Sequence, residues 1–208
     1  MKISWCFLAA IVHLVVTSCS LSAAITTNIV SSDNTWRTSR GSEVTATNWT
    51  VSLAFDDSDA AGWTNAFQVS GNNHIWHTSN QSSQSPSRAR FRHLFTLSQD
   101  QIVSVTGHFT FDDNGSAWIN GTQIINDTGG GASTFDLTLD PLLFQPGDNL
   151  IAVWGVNTVA PFNSISVNMT IVQVPEPSAA VLSAAGLAGW AVYRRRCLRG
   201  RNEPSDGG

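Results

Sequence analysis

The stretch SISVNMTI, from Ser164 to Ile171, alternates polar and apolar residues without a break. A period of two predicts a β-strand that buries one face and leaves the other in water. Upstream, LIAVWGV (Leu150 to Val156) is apolar on both faces, which indicates a central strand covered on both sides. The two stretches together predict a layered β-structure.

The residues around these stretches have the same character. Alternate residues from Val103 to Phe111 share one face of a further predicted strand, and we expect that face to be buried. Asn120-Gly121 supplies the positive φ angles of a tight hairpin turn, and Pro146-Gly147 marks another turn. No segment of helical period reaches ten residues between Ile25 and Val174. The sequence therefore predicts an all-β fold, a β-sandwich or jelly roll.

The charges of this core are few and mostly negative. Between Ile25 and Val174 there are five Arg, no Lys, eleven Asp and one Glu. An acidic balance argues against nucleic acid and against anionic membrane surfaces as partners. The three cysteines, Cys6, Cys19 and Cys197, lie outside the core, so no disulfide framework is expected and packing must hold the fold.

The N-terminal end predicts export. Residues 1–24 contain one Lys, an apolar run from Trp5 to Val16 and then small residues, which is typical of a secretory signal peptide. Ser22-Ala23-Ala24 fits a cleavage site. The residues before Cys19 also fit the loose pattern that precedes a lipid-modified cysteine, and this alternative stays open.

The C-terminal end, residues 174–200, predicts a membrane segment. Ser178 to Tyr193 is sixteen residues without a charge, and Arg194, Arg195 and Arg196 follow directly. Arginine clusters stay on the cytoplasmic side and extend a short span by snorkelling. We therefore expect a transmembrane helix at about 178–193, the three arginines as its membrane stop, and residues 201–208 as a polar cytoplasmic tail. The alternative, a buried core helix, does not explain the arginine block.

Pro175, Glu176 and Pro177 stand immediately before this segment. Prolines on both sides keep Glu176 out of a helix and extended, as a processing enzyme requires of its substrate. Pro-Glu-Pro, an apolar segment and an arginine cluster in this order resemble the PEP-CTERM sorting signal of exported bacterial proteins. The resemblance implies an exosortase as partner, anchoring in the inner membrane before processing, and delivery to the cell surface, extracellular matrix or biofilm. The tail from Cys197 to Gly208 is longer than in that family.

Three further stretches carry a second resemblance. RFRHLFTL (Arg90 to Leu97), FTFDDNGSAWINGTQII (Phe109 to Ile125) and LLFQPGDNLIAVWGVN (Leu142 to Asn157) are similar to segments of the galactose-binding-like jelly roll. The resemblance implies this fold for residues 25–173. Domains of that kind accompany many glycoside hydrolases, so we expect extracellular polysaccharide as a partner of the core.

Trp63 and Trp76 are the candidate sugar platforms, because both lie among polar loop residues and a pyranose stacks on an exposed indole face. The alternative is that each ring packs in the core. Arg90 and Arg92 alternate along one strand face and are further ligand candidates. Their alternative is pairing with the many aspartates.

Two acidic segments are candidate calcium ligands. Asp56, Asp57 and Asp59 form the first, and Asp112 with Asp113 the second. Ca²⁺ takes six to eight oxygen ligands, and the galactose-binding-like resemblance implies a structural calcium. The alternative is turn chemistry, in which Asp side chains bind their own backbone. No other cofactor is expected.

Signs of catalysis are few. The core has no Gly-x-Ser-x-Gly elbow, no cysteine nucleophile and no His-Glu-x-x-His helix, so we expect no enzyme activity. Three hypotheses follow for the core. A carbohydrate-binding module predicts an exposed Trp at the loop ends, and a purely structural matrix protein predicts buried tryptophans and no concave polar site. A glycan hydrolase would need two convergent carboxylates in a cleft.

Overall fold

The computed structural model describes residues 24–40, 48–69, 73–77, 87–158 and 164–175, together with residues 186, 187 and 189–191. The chain divides into two compact units. One unit is Ile25–Val174, and the other joins residues 1–24 to residues 175–208.

Every strand that the structure describes lies in the first unit. The strands are β1 (Thr26–Ser31), β2 (Arg37–Arg40), β3 (Thr64–Asn65), β4 (Phe67–Val69), β5 (His74–Trp76), β6 (Ser87–Leu97), β7 (Gln101–Phe111), β8 (Asn114–Ile119), β9 (Thr122–Asp127), β10 (Ser133–Leu139), β11 (Gly147–Asn157) and β12 (Ile165–Val174). One helical turn, α1 (Asn48–Val51), and two 3₁₀ turns, Asp59–Ala61 and Pro141–Leu143, complete the described elements of this unit. The all-β prediction is confirmed.

The strands form two antiparallel sheets that pack face to face. Sheet A has the order β10-β7-β12-β5-β4, and β1 also pairs with β12. Sheet B has the order β3-β2-β6-β11-β8-β9. Phe109 and Met169 from sheet A meet Phe91 and Val153 from sheet B in one buried cluster. The unit Ile25–Val174 is therefore a β-sandwich, as predicted.

The alternating stretch SISVNMTI lies in β12, near the centre of sheet A. Ile165, Val167, Met169 and Ile171 are buried, whereas Asn168 is exposed. β12 pairs with β7 on one side and with β5 and then β1 on the other. Burial of one face, predicted from the period of two, is confirmed.

β11 is buried on both faces, which confirms its prediction as a central strand. One face, with Ile151 and Val153, belongs to the main core. The other face packs in a second apolar cluster, whose members are Trp49, Trp63, Trp118, Ala152, Trp154 and Val156, with Phe55 against them. We call residues 48–63 the strap, because this segment covers the outer face of sheet B.

The hairpin between β8 and β9 turns at Asn120 and Gly121, both at positive φ as predicted. The prediction for β7 needs one correction. Val103 is 45% exposed rather than buried, because the register between β7 and β12 shifts there. Ser104 pairs with Val172 and Ile102 pairs with Gln173, so Val103 has no cross-strand partner in β12.

The predicted signal peptide and membrane segment lie almost entirely outside the described residues. In the membrane segment, Gly186, Leu187 and residues 189–191 are helical and exposed. Over the described part of the chain, no helix combines the length and apolar character needed to cross a membrane. The transmembrane helix therefore stays a prediction.

Candidate functional site

The C-terminal end of β12 leads directly into the predicted sorting motif. Val174 is the last strand residue, and Pro175 follows, half-buried. Glu176, Pro177 and the predicted membrane stop Arg194–Arg196 lie outside the described residues. Gln173 pairs with Thr26 of β1 and with Ile102 of β7. The strand is thus flanked by partners on both sides until two residues before the first proline.

The buried side chain of Gln173 fixes this strand end. Its Oε1 accepts a hydrogen bond from Asn28 Nδ2 at 2.7 Å. Its Nε2 donates to the carbonyl oxygens of Ser98 at 3.3 Å and Asp100 at 3.1 Å. A buried amide that satisfies its donors and acceptor holds its strand in one register. The folded sandwich therefore extends to the motif without a linker.

The prediction that Trp63 and Trp76 expose their rings is wrong. Trp63 is 3% exposed and Trp76 is 1% exposed. Trp63 packs edge-on against Phe55 at 5.7 Å between ring centroids, and Trp76 lies 5.6 Å from Phe91. The free energy gained by burying a large aromatic surface exceeds the preference of the polar neighbours of each ring for water. All six tryptophans between residues 25 and 174 are buried, namely Trp36, Trp49, Trp63, Trp76, Trp118 and Trp154.

Arg92 is enclosed beneath the strap, so its assignment as a ligand contact is wrong. Its Nε donates to Asp57 Oδ2 at 3.0 Å, Nη2 donates to the Ser52 carbonyl at 3.1 Å, and Nη1 donates to the Trp49 carbonyl. Burial lowers the pKa of Arg92, and the bond to Asp57 opposes this effect. The alternative, pairing with an aspartate, is confirmed.

Two more arginines hold the strap. The guanidinium of Arg90 lies over the Trp49 ring, 5.9 Å from its centroid. Arg37 of β2 donates to Asp59 Oδ1 at 2.5 Å, to the Asp57 carbonyl at 2.9 Å and to the Trp63 carbonyl at 3.0 Å. The role of Arg37 could not be predicted from the sequence, because no local pattern links it to residues about twenty positions away.

The carboxylates of the first acidic segment bind turn backbone and arginine side chains. Asp56 Oδ1 accepts a hydrogen bond from the Ser58 backbone at 3.0 Å, and bonding by Ser58 lowers the pKa of Asp56. Asp57 and Asp59 bind Arg92 and Arg37. The turn-chemistry alternative is confirmed for Asp56, whereas Asp57 and Asp59 bind arginines of β6 and β2.

The second acidic pair lies where β7 leads into β8. The buried Asp113 accepts hydrogen bonds at Oδ2 from the backbone of Thr158 and, at 2.7 Å, from its hydroxyl. Burial, and next the charge of Asp113, raise the pKa of Asp112 to about 6. Within the described ranges, no three His, Cys, Asp or Glu side chains come close enough together to hold a metal ion. The two acidic segments therefore do not form one site, and calcium stays a prediction.

The outer face of sheet A carries a polar groove of about 330 Å³. Its polar side chains come from β7, β10 and β12 and are Thr106, His108, Asp136, Thr138, Asn168 and Thr170. His108 Nδ1 lies 2.6 Å from Asp136 Oδ1. These side chains provide hydroxyl, amide, imidazole and carboxylate groups, and none of them is Arg or Lys. Such a set is suited to hydrogen bonds with a neutral polyol rather than with an anion.

This groove could not be predicted from the sequence. The outward positions of β12 were visible in the alternation of SISVNMTI, but their neighbours were not. Asn168 pairs with His108, and His108 pairs with Asp136, across strands that are not consecutive in the chain. Only the sheet topology brings these side chains together.

Comparison with protein families identifies the C-terminal motif. Residues 173–196 match the family described as the PEP-CTERM protein-sorting motif. The resemblance noted in the sequence is thereby confirmed, and the match begins at the buried Gln173. Comparison with curated proteins gives no match.

Solved structures with a similar fold are parts of larger enzymes. Bacteroides uniformis β-glucuronidase 2 aligns with 71% of this chain at 21% identity and a TM-score of 0.49, over 18% of its own chain. A glycosyl hydrolase family 2 member from Bacteroides cellulosilyticus aligns with 69% of this chain at 18% identity and a TM-score of 0.46, over 20% of its own chain. This chain thus spans about a fifth of the length of these structures.

Proposed function

We propose that this chain, which carries the PEP-CTERM motif over residues 173–196, is an exported bacterial protein processed by an exosortase. It is anchored in the inner membrane by its C-terminal segment and then delivered to the cell surface or extracellular matrix. The observation that carries the proposal is the end of β12 at Val174, with the motif directly after it. A processing enzyme needs extended, unpaired peptide, and the two prolines around Glu176 prevent both helix and strand pairing.

Mass spectrometry of the exported protein tests this proposal. In cells with the exosortase, we expect a product that retains Val174 and has lost Arg194–Arg196. The same chain in exosortase-deficient cells is the control and should keep the arginines. An exported product that keeps Arg194–Arg196 in both strains would sink the proposal.

For the core we propose a non-catalytic carbohydrate-binding module that uses the groove of sheet A. The support is the set of six hydrogen-bonding side chains on three strands, with no Arg or Lys among them. Sugar hydroxyls are both donors and acceptors, and such groups match them. With Trp63 and Trp76 buried, the groove is the place where a glycan would bind.

A glycan screen on the exported chain tests this site. We expect Asn168→Ala to weaken binding about fivefold, because a hydrogen bond lost from a binding site costs on the order of 1 kcal/mol. Thr134→Ala is the matched control, since Thr134 is exposed on the same sheet but does not line the groove. Equal binding by both variants would show that the glycan does not bind in the groove.

A purely structural matrix protein is the second candidate, favoured by the burial of all six core tryptophans. It predicts no saturable glycan binding by a folded core. Hydrolysis has less support, because Asp57, Asp59 and Asp113 are engaged by Arg92, Arg37 and Thr158. A glycosidase needs two available carboxylates about 5–10 Å apart across a cleft.

A further inference from the structure

The two ends of the core emerge at the same end of sheet A. Thr26, at the start of β1, pairs with Gln173, near the end of β12. Continuing this register by one residue sets Ile25 beside Val174. The predicted signal-peptide cut before Ile25 and the sorting motif after Val174 are therefore neighbours in space, although 150 residues of chain lie between them.

Exposed apolar side chains gather at this end. We define the end patch as Ile25, Val51, Val103 and Leu142, which are all large and exposed. Ile25 is 67% exposed and Leu142 is 89% exposed. Scattered apolar residues on a surface are ordinary, but a grouped set marks a contact surface.

The contacts around each member place it at this end. Val103 stands at the register shift beside Val172, near the end of β12. Leu142 lies in the 3₁₀ turn just after β10, whose last residue, Leu139, pairs with Val105.

Val51 completes the set through the turn of the β8–β9 hairpin. A methyl group added at Gly121 of that turn would lie 3.1 Å from Val51 Cγ2. The neighbouring Asn120 donates from Nδ2 to the Leu143 carbonyl at 2.8 Å. Val51 and the 3₁₀ turn that contains Leu142 are therefore both close to the β8–β9 turn.

The length of chain beyond Val174 indicates what meets this patch. Four residue steps separate Val174 from Ser178, where the predicted membrane segment begins. A fully extended chain spans at most about 3.5 Å per residue, so these steps reach no farther than roughly 14 Å. An anchored chain would therefore keep this end of the sandwich close to the bilayer surface.

The charges near the patch favour an uncharged contact. No Lys occurs between Ile25 and Val174, and the nearest charges in sequence to Val103 and Leu142 are Asp100 and Asp140. These residues therefore provide no positive charge that would attract anionic lipid. Uncharged Ile, Leu and Val side chains need no such attraction to partition into the boundary between headgroups and acyl chains.

We propose that the end patch rests on the surface of the bilayer while the precursor is anchored through its C-terminal segment. This inference rests on the anchoring in the proposed function. The contact orients the sandwich and holds the Pro-Glu-Pro motif at the level of the membrane, where a membrane-embedded processing enzyme works.

Fluorescent probes on the full chain in phosphatidylcholine vesicles test the contact. Cys6, Cys19 and Cys197 are replaced by Ser, and one environment-sensitive label is attached through Leu142→Cys, Thr128→Cys or Trp190→Cys. Thr128 is the control, exposed in the loop between β9 and β10 at the other end of the sandwich. Trp190 reports the anchor itself.

We expect lipids with a nitroxide near the headgroup to quench the label at 142 about threefold more strongly than the label at 128, as for a side chain in the interface. Labels at 142 and 128 that are equally aqueous, with 190 inside the bilayer, would overturn the contact and leave anchoring intact. An aqueous label at 190 would instead refute the anchoring, and the contact with it. Shielding at 142 only after an exosortase is added would assign the patch to that enzyme and overturn the lipid contact.

Discussion

At the scale of the residue, Arg92 shows how one side chain fixes the position of the strap. The Arg92→Met variant keeps much of the side-chain volume but removes the donors to Asp57, Ser52 and Trp49. We expect the free energy of unfolding to fall by about 3 kcal/mol, because a half-buried carboxylate and two carbonyls lose the buried guanidinium as their partner. Urea unfolding measures the loss. Arg88→Met is the matched control, exposed on the same strand, and a similar loss in both variants would contradict this role of Arg92.

Asp112 introduces a pH dependence. Burial, and next the charge of Asp113, raise its pKa from 3.8 to about 6. The folded state then holds the proton more tightly than the unfolded chain between these values. The free energy of unfolding therefore falls as the pH rises from about 4 to about 6, and the loss is complete above that range. Because Asp112 is partly exposed, solvent screening limits the fall to about 1 kcal/mol.

Substitution of Asp112 tests this slope. Asp112→Asn should match the parent chain at pH 4 and exceed its stability at pH 7 by about 1 kcal/mol, measured by urea unfolding in chelator. If the free energy of unfolding of the variant still fell between pH 4 and pH 6, Asp112 would not be the source of the pH dependence. Repeating the parent measurement at pH 7 with Ca²⁺ tests the calcium prediction, because a bound cation would add stability that chelator removes.

At the scale of the element, the end of β12 depends on Gln173. Gln173→Ala removes the bonds from this buried amide to Asn28, Ser98 and Asp100, of which Asn28 and Asp100 are half-buried. We expect a loss of about 2 kcal/mol in the free energy of unfolding, and faster proteolysis near Val174. Gln123→Ala, exposed in β9, is the matched control and should change neither. Unchanged proteolysis in Gln173→Ala would show that the strand end is held by its backbone pairing alone.

The strands also show what a sequence pattern can predict. The alternation of β12 and the two apolar faces of β11 were both correct, because each follows from local burial alone. The prediction that Val103 is buried was wrong, because a register shift depends on the partner strand. The prediction that Trp63 is exposed was wrong, because the strap packs over sheet B. The polar residues next to Trp63 in the sequence do not indicate this packing. Errors therefore arise where a residue's surroundings are set by a distant segment.

At the scale of the whole molecule, topology creates surfaces that no single stretch encodes. The groove joins Thr106, Asp136 and Asn168 from three strands, and the end patch joins turns that are separated by much of the chain. Composition predicted an acidic, lysine-free core but not where its exposed apolar residues would gather. The sorting motif was recognisable because its signal is contiguous, so the destination of the protein could be predicted more fully than the surface of its core.

The position of β12 also determines where the chain can be shortened. A chain that ends after Pro175 keeps every residue of the sandwich, and we expect its melting temperature to match that of the precursor, since residues 175–208 belong to a separate unit. A chain that ends after Thr170 loses the buried Ile171 and Gln173 and the end of a strand that pairs on both sides. Removing one buried Ile side chain costs about 2–5 kcal/mol, so this chain should melt at much lower temperature or not fold. Circular dichroism during heating measures both. If the chain ending at Pro175 melted well below the precursor, the C-terminal segment would stabilise the sandwich, and processing at the motif would release a weakened product.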